Sequence, residues 1–151
     1  MSREQEESPP PAETLSLSDQ IARFFSRSPI AVVGASADPS KYGHRCFRAL
    51  LDKGFDAIPV NPRGGTLLDH PVTEELSQLP AAVRALNIIT PPAVTAATID
   101  RAIEQGITDL WIQPGAEEPD AIARAQAAGL SVIHGGTCIL VALANWSASE
   151  S

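Results

Sequence analysis

The chain has 151 residues, of which 44% are hydrophobic and 19% charged, a balance that is typical of one globular domain with its own core. Its net charge of −7 disfavours binding to a nucleic-acid backbone, which is itself polyanionic. Two cysteines are too few for a disulfide framework, and no apolar stretch approaches the roughly 18 residues that a membrane span needs. The first residues also lack the basic and apolar regions of a secretory signal. We therefore expect a cytoplasmic protein that binds neither nucleic acid nor a membrane.

The amino-terminal residues 1–14 predict a disordered tail because they combine several glutamates with a proline triplet and almost nothing apolar. Residues 15–146 are expected to form the folded domain, and residues 147–151 a short carboxyl-terminal tail.

A short helix is predicted directly after the tail, in the segment SLSDQIARFFSRS. Its apolar residues Ile21, Phe24 and Phe25 share one helical face, and Ser18 is the expected N-cap. Further along, TLLDHPVTEELSQLP predicts a short irregular strand and one helix, with Thr73 as its cap and Leu76 facing inward.

Five short apolar runs rich in valine and isoleucine follow Pro29: IAVVGA, DAIPV, ALNIIT, DLWIQ and LSVIH. Such runs are typical of strands buried on both faces of a parallel sheet. Three helical segments between them end in Gly54, Gly106 and Gly129, each followed by an apolar residue and then a strand. This repeat predicts an α/β fold: a doubly wound, Rossmann-like sheet of about five mostly parallel strands with helices on both faces.

Ligands of such a sheet bind at the carboxyl ends of its strands, so the residues that follow each run are the binding candidates. They are Gly34-Ala35-Ser36, Asn61-Pro62-Arg63, Thr90-Pro91-Pro92, Gln113-Pro114-Gly115 and the run that ends in Cys138. This edge is rich in proline and glycine and poor in ionisable groups.

The first turn departs from two known nucleotide motifs. The dinucleotide pattern G-x-G-x-x-G needs a second glycine where Ser36 stands, and an acidic residue where the second strand ends in Asn61-Pro62-Arg63. No P-loop motif is present either. What remains is a turn with free N–H groups, a serine hydroxyl, a helix that begins near Tyr42-Gly43 and the nearby cation of Lys41. These features suit a pyrophosphate, and the alternative is a tight structural turn without a ligand.

The sequence predicts no catalytic set and no metal site, because no histidine or cysteine spacing is typical of either. His44 is expected to be an exposed residue of the first helical turn or a phosphate ligand, and His134 a packed residue at the end of the last strand. Cys46 is expected to be a buried thiol and Cys138 a half-buried, inert one. We therefore expect a protein that is not an enzyme.

Taken in order, the segments GAS…KYG, VNPRG, TPP, WIQPGA and AGLSVIHGGTC resemble those of the small bacterial and archaeal CoA-binding proteins. These are single Rossmann-like domains similar to the amino-terminal domain of the succinyl-CoA synthetase alpha subunit, and the resemblance covers residues 18–145. Many relatives carry an Asp-Arg-Cys turn followed by a glutamate, whereas this chain keeps Cys138 without the arginine or the glutamate. The synthetase's second domain, with its phosphorylated histidine, lies outside this sequence, so ligase chemistry is not expected.

The resemblance implies how coenzyme A lies on the edge of the sheet. The pyrophosphate is held by Gly34, Ala35, Ser36 and the segment Lys41-Tyr42-Gly43. The other predicted contacts are Pro62 and Arg63 with the adenosine and its 3′-phosphate, Thr90-Pro91-Pro92 with the adenine, and Gln113-Pro114-Gly115 with the pantetheine arm; Asn61 and Cys138 complete the set. A side chain at Gly34 is expected to block the pyrophosphate and to leave the fold largely intact.

The function that follows is non-catalytic binding of coenzyme A or an acyl-CoA, as a carrier, a sensor or a partner module. A second copy of the chain or another protein is a candidate partner. One alternative is a nicotinamide-dependent enzyme or redox sensor, against which Arg63 and the missing second glycine argue. The other is a scaffold that has lost its ligand.

Overall fold

The computed structural model describes residues 15–147. The predicted tail at residues 1–14 and the last residues, 148–151, lie outside the described part.

The helices and strands follow one another in a regular α/β alternation. In chain order they are α1 (Leu17–Phe25), β1 (Ile30–Val33), α2 (Tyr42–Asp52), β2 (Ala57–Val60), β3 (Thr66–Leu67), β4 (His70–Pro71), a 3₁₀ turn (Leu76–Gln78), β5 (Ala85–Ile88), α3 (Pro92–Gln105), β6 (Asp109–Ile112), α4 (Pro119–Ala127), β7 (Ser131–Ile133) and α5 (Ile139–Ala144).

Five of these strands form one parallel sheet in the order β2-β1-β5-β6-β7. The five strands that the sequence predicts are all present, and the doubly wound, Rossmann-like fold is confirmed. The chain leaves β1 toward β2 on one side and then returns to β5 on the other. This reversal places the ligand crevice of such a fold above β1.

The two faces of the sheet bury different kinds of side chain. The face covered by α3 and α4 is aliphatic, with Leu86, Ile99 and Leu110 fully buried. The opposite face, under α1, α2 and α5, is aromatic and centres on Phe24 and Trp111. Their rings meet edge to face with centroids 5.2 Å apart, which is a favourable geometry for aromatic pairs.

The N-cap of helix α1 is Ser16, whose hydroxyl accepts a hydrogen bond from the N–H of Asp19 at 3.1 Å. The prediction of Ser18 as the N-cap is therefore wrong, because Ser18 already lies in the first turn of the helix. The carboxylate of Asp109, at the start of β6, holds the helix against the sheet. It lies 3.1 Å from Nε of Arg23 and 3.3 Å from Nε of Arg27.

The predicted helix ends are confirmed. Gly54, Gly106 and Gly129 have φ angles of +89°, +83° and +93°, in the left-handed region that an L side chain rarely adopts. No helix among residues 15–147 is both long enough and apolar enough to cross a membrane.

The segment between β2 and β5 differs from its prediction. It contains the two short antiparallel strands β3 and β4 and a single 3₁₀ turn whose N-cap is Glu75, so Thr73 caps no helix. Thr73 instead pairs with Val60 in parallel, because its N–H and carbonyl groups bond to the neighbouring strand. Leu76 is buried, as predicted.

Candidate functional site

Two glycines lie against main chain where the turn after β1 meets α2. A Cβ atom on Gly34, whose φ is +97°, would overlap with the carbonyl oxygen of Ile89, and a Cβ on Gly43 would overlap with the carbonyl oxygen of Gly34. The expectation that a side chain at Gly34 leaves the fold intact is therefore wrong. Both neighbours are main chain, so no side-chain movement can relieve the overlap.

The turn's first N–H groups are not free, contrary to the prediction. Those of Gly34 and Ala35 both donate to the carbonyl oxygen of Val60, at 3.1 and 3.2 Å. The hydroxyl of Ser36 accepts from the N–H of Asp38 at 3.1 Å.

The open N–H groups of this edge lie further on, where α2 begins. Lys41 is the N-cap of α2, and its side chain makes no capping hydrogen bond. The first N–H groups of a helix have no intrahelical partner, so those of Tyr42, which is exposed, and of Gly43, which is buried, have none within α2. Tyr42 is itself exposed, with the guanidinium of Arg45 stacked 4.9 Å from the centre of its ring.

The loop that leads to α2 is held by two further contacts. His44 is only 7% exposed, and its Nδ1 lies 3.1 Å from the carbonyl oxygen of Ser36, so the expectation of an exposed histidine is wrong. It is buried because α2 packs back against the turn. The carboxylate of Asp38 accepts hydrogen bonds from the N–H and the hydroxyl of Ser40, at 2.9 and 2.8 Å, which lower the pKa of Asp38 below its ordinary value.

The end of β2 is tied to the turn after β1 by Asn61. Its Nδ2 donates to the carbonyl oxygen of Ala35 at 2.7 Å, and its Oδ1 accepts from the N–H of Arg63 at 2.8 Å. Asn61 therefore positions the two turns relative to each other, while Pro62 and Arg63 stay exposed at the edge.

A cleft of about 440 Å³ opens where β1, β2 and β5 end, between α3 and the segment after β4. Three predicted residues, Gly34, Pro62 and Thr90, meet at this cleft, and its other apolar lining comes from the strand ends, α3 and Leu76. Thr90 is fixed by a 2.7 Å hydrogen bond between its Oγ1 and that of the buried Thr95. Pro91 and Pro92, which are both exposed, begin α3 as its N-cap and first residue.

The charged residues of the cleft are Glu74, Glu75 and Arg101, and the sequence interpretation misses all three. No local pattern identifies them. They meet only because the segment after β4 folds back beside β2, opposite α3.

The other end of the edge is anchored by Gln113, which is buried. Its Nε2 donates to Sγ of Cys138 at 3.4 Å, and its Oε1 accepts from the N–H of Ile139 at 2.8 Å. Both ends of the Gln113 amide thus hold the start of α5, and only Pro114 and Gly115 remain exposed there. None of these residues lines the cleft.

The two thiols and the last histidine have distinct surroundings. Cys46 is fully buried, as predicted, and burial raises the pKa of its thiol to about 12. Cys138 is half-buried, also as predicted. His134 is exposed, so its predicted packing is wrong: β7 ends at Ile133, and the ring lies beyond the core. Within residues 15–147, no three acidic, histidine or cysteine side chains gather as a metal site.

Comparison with known proteins points to one family. A model described as the CoA binding domain matches residues 28–144. The uncharacterized protein YneT of Bacillus subtilis (strain 168) is 28% identical over 124 residues, which are 82% of this chain and 91% of that protein. A solved structure of a conserved hypothetical protein from Pyrococcus furiosus is 36% identical, with a TM-score of 0.71 over 75% of this chain and 97% of that one.

A larger relative contains a similar segment. The alpha subunit of the ADP-forming acetate–CoA ligase II of Pyrococcus furiosus is 30% identical over 90 residues, which are 59% of this chain. The match spans only 20% of that subunit.

We expect Gly34→Ala to lower the free energy of unfolding by about 2–4 kcal/mol, because it adds a steric overlap to an unfavourable φ. Gly129→Ala is the matched control, since its φ is +93° but no atom lies within 4 Å of the added Cβ. It should cost only about 1 kcal/mol. Urea unfolding followed by circular dichroism measures both, and equal losses would show that the turn after β1 tolerates a side chain.

We expect iodoacetamide at pH 8 to modify Cys138 well before Cys46, because a buried thiol with a pKa of about 12 stays protonated and inaccessible. Mass spectrometry of peptides after timed labelling measures both rates. In 6 M guanidinium the two thiols should react alike, which is the control. Comparable rates in the native protein would contradict the burial of Cys46 on the face of α2 that packs against the sheet.

Proposed function

Since this chain belongs to the CoA-binding domain family, we propose that it binds coenzyme A or an acyl-CoA at the carboxyl edge of the sheet, as a non-catalytic carrier, sensor or partner module. The family match over residues 28–144 is the observation that carries the proposal. The geometry of the edge supports it in three ways.

The pyrophosphate has a suitable place at the start of α2. The N–H groups of Tyr42 and Gly43 and the positive end of the helix dipole favour an anion there. Lys41 adds a cation directly before the helix. Because Gly34 and Ala35 already donate to Val60, their part is to let the ligand approach the backbone rather than to bond to it.

The adenosine has a suitable place in the cleft. A volume of about 440 Å³ lies within the range of small-molecule sites, and Val33 and Val60 give the cleft an apolar floor for a flat purine. Pro62 lies at the opening, and Arg63 is the next residue of the same turn, where it can meet a ribose phosphate.

Two groups near the first turn that could act as a base or a nucleophile, His44 and Cys46, support binding rather than catalysis. His44 is buried against Ser36, and Cys46 is held as a neutral thiol. A base or nucleophile in such contacts is poorly placed to reach a substrate.

We predict that coenzyme A raises the melting temperature and that NAD raises it much less. A ligand at 100 times its dissociation constant stabilises the folded state by about 2.7 kcal/mol, which corresponds to a shift of several degrees for a domain of this size. Differential scanning fluorimetry with both ligands at equal concentration measures the shifts. No shift with coenzyme A, or equal shifts with coenzyme A and NAD, would contradict the proposal.

We predict that Arg63→Ala weakens coenzyme A binding about tenfold, because an exposed guanidinium bonds the 3′-phosphate at the low end of the range for charge-assisted hydrogen bonds. Dephospho-CoA should bind the wild type more weakly by a similar factor and lose little more in the variant, since both changes remove one contact. Calorimetric titration of both ligands into both proteins measures the coupling.

The matched control for this cycle is Arg48→Ala, which removes an exposed arginine of α2 whose Nε pairs with Asp52 at 3.8 Å. It should leave both affinities unchanged. A coupling energy near zero between Arg63 and the 3′-phosphate would mean that Arg63 does not contact this phosphate. Another cation of the edge, Lys41 or Arg101, would then be its partner.

A further inference from the structure

Thr73 extends the sheet beyond β2 by one residue. Its N–H donates to the carbonyl oxygen of Pro59 at 2.9 Å, and its carbonyl oxygen accepts from the N–H of Asn61 at 2.9 Å. It therefore runs parallel to the end of β2, in register with Val60. Glu74 follows at the carboxyl end of this added position, beside the end of β2 itself.

The side chain of Glu74 lies across the turn that follows β2. A Cβ built on Gly64 would be 2.5 Å from Oε2 of Glu74 and 3.2 Å from its Cγ. The turn that carries Pro62 and Arg63 and the carboxylate of Glu74 are thus in close contact, and Glu74 and Pro62 both line the cleft.

The neighbouring Glu75 is placed differently although it lines the same cleft. Its Oε1 accepts a hydrogen bond from the hydroxyl of Ser77 at 3.3 Å, and it is the N-cap of the 3₁₀ turn. Within residues 15–147, Glu74 forms no ion pair that would neutralise its charge.

Dinucleotide sites of Rossmann-like folds hold the ribose with a carboxylate at the end of the second strand, which accepts a hydrogen bond from the 2′-hydroxyl. In this chain β2 ends in Asn61-Pro62-Arg63, and the carboxylate beside that end comes from Glu74. Coenzyme A carries its ribose phosphate on the 3′ oxygen and keeps a free 2′-hydroxyl.

We propose that Glu74 accepts a hydrogen bond from the 2′-hydroxyl of the bound ribose and so selects against ligands that carry a phosphate at that position. This inference rests on the proposed function, because it needs an adenosine in the cleft. A carboxylate and a 2′-phosphate repel each other, whereas a 3′-phosphate on the same ring turns toward Arg63. The site then distinguishes two phosphate isomers of equal charge and size.

The test uses adenosine 3′,5′-bisphosphate and adenosine 2′,5′-bisphosphate as probes that displace coenzyme A from the full chain in competition calorimetry. The wild type should bind the 3′,5′ isomer about a hundredfold more tightly, because the contact of the 3′-phosphate with Arg63 contributes about tenfold and Glu74 contributes the rest. Glu74→Gln keeps the size of the side chain and its contact with Gly64 but removes the charge, so the preference should fall to the roughly tenfold that Arg63 supplies. Glu104→Gln, an exposed position of α3 outside the cleft, makes the same change in net charge and should keep the full preference.

The outcomes separate this inference from the proposed function. If coenzyme A does not bind the wild type, the proposed function fails and this inference falls with it. If coenzyme A binds but the wild type does not distinguish the isomers, or neither isomer displaces it, only the inference is overturned. The same holds if Glu75→Gln, and not Glu74→Gln, lowers the preference. A wild-type preference of only about tenfold, which Arg63 alone supplies, would also overturn the inference, so the inference can be contradicted even if Glu74→Gln fails to fold.

Discussion

The close approach of Gly34 to its neighbours determines how the carboxyl edge is arranged. The Cα of Gly34 faces the carbonyl group of Ile89 on one side. On the other side, Gly43 lies against the carbonyl group of Gly34. A side chain at either glycine would separate β1 from the residue after β5 or from α2. Because these contacts join main chain to main chain, they fix the position of the first turn of α2 relative to the strand ends.

Hydrogen bonds within the fold explain why the turn after β1 has few polar groups left for a ligand. The carbonyl oxygen of Val60 takes the N–H groups of Gly34 and Ala35, and Asn61 takes the carbonyl oxygen of Ala35. The two strand ends are thereby joined into one hydrogen-bonded unit. Polar contacts with a ligand must then come from the elements around this unit, which are the start of α2 and the segment that contains Glu74.

The parts of the fold that the sequence predicts well are those with local causes. The five strands follow from apolar runs, and the helix ends follow from glycines whose left-handed φ is a property of a single residue. The N-cap of α1 is misplaced by two residues because Ser16 and Ser18 are both good caps, and only the direction of the incoming chain decides between them.

The parts that the sequence misses depend on pairing between distant segments. Whether Gly34 offers a free N–H depends on Val60, and whether Glu74 reaches the cleft depends on Thr73 pairing beside β2. The exposure of His44 likewise depends on how α2 packs against the turn. Of the predicted site residues, Gly34, Pro62 and Thr90 line the cleft, while Asn61 and Gln113 hold structural contacts that no sequence motif reveals.

In an acidic chain that binds a phosphate ligand, different groups must supply the affinity and the selectivity. With a net charge of −7, long-range attraction cannot gather the ligand, so affinity has to come from backbone N–H groups and a few cations close to the phosphates. Under the proposed function, the carboxylates at the edge would contribute selectivity, because they repel a phosphate that is displaced toward them. The dinucleotide motif expects an acidic residue at the end of the second strand. Because this strand ends in Asn61-Pro62-Arg63, the motif alone predicts no carboxylate for a ribose there. The position beside β2 is nevertheless filled by a carboxylate from a later segment, so the character of this site is decided by what the fold places there.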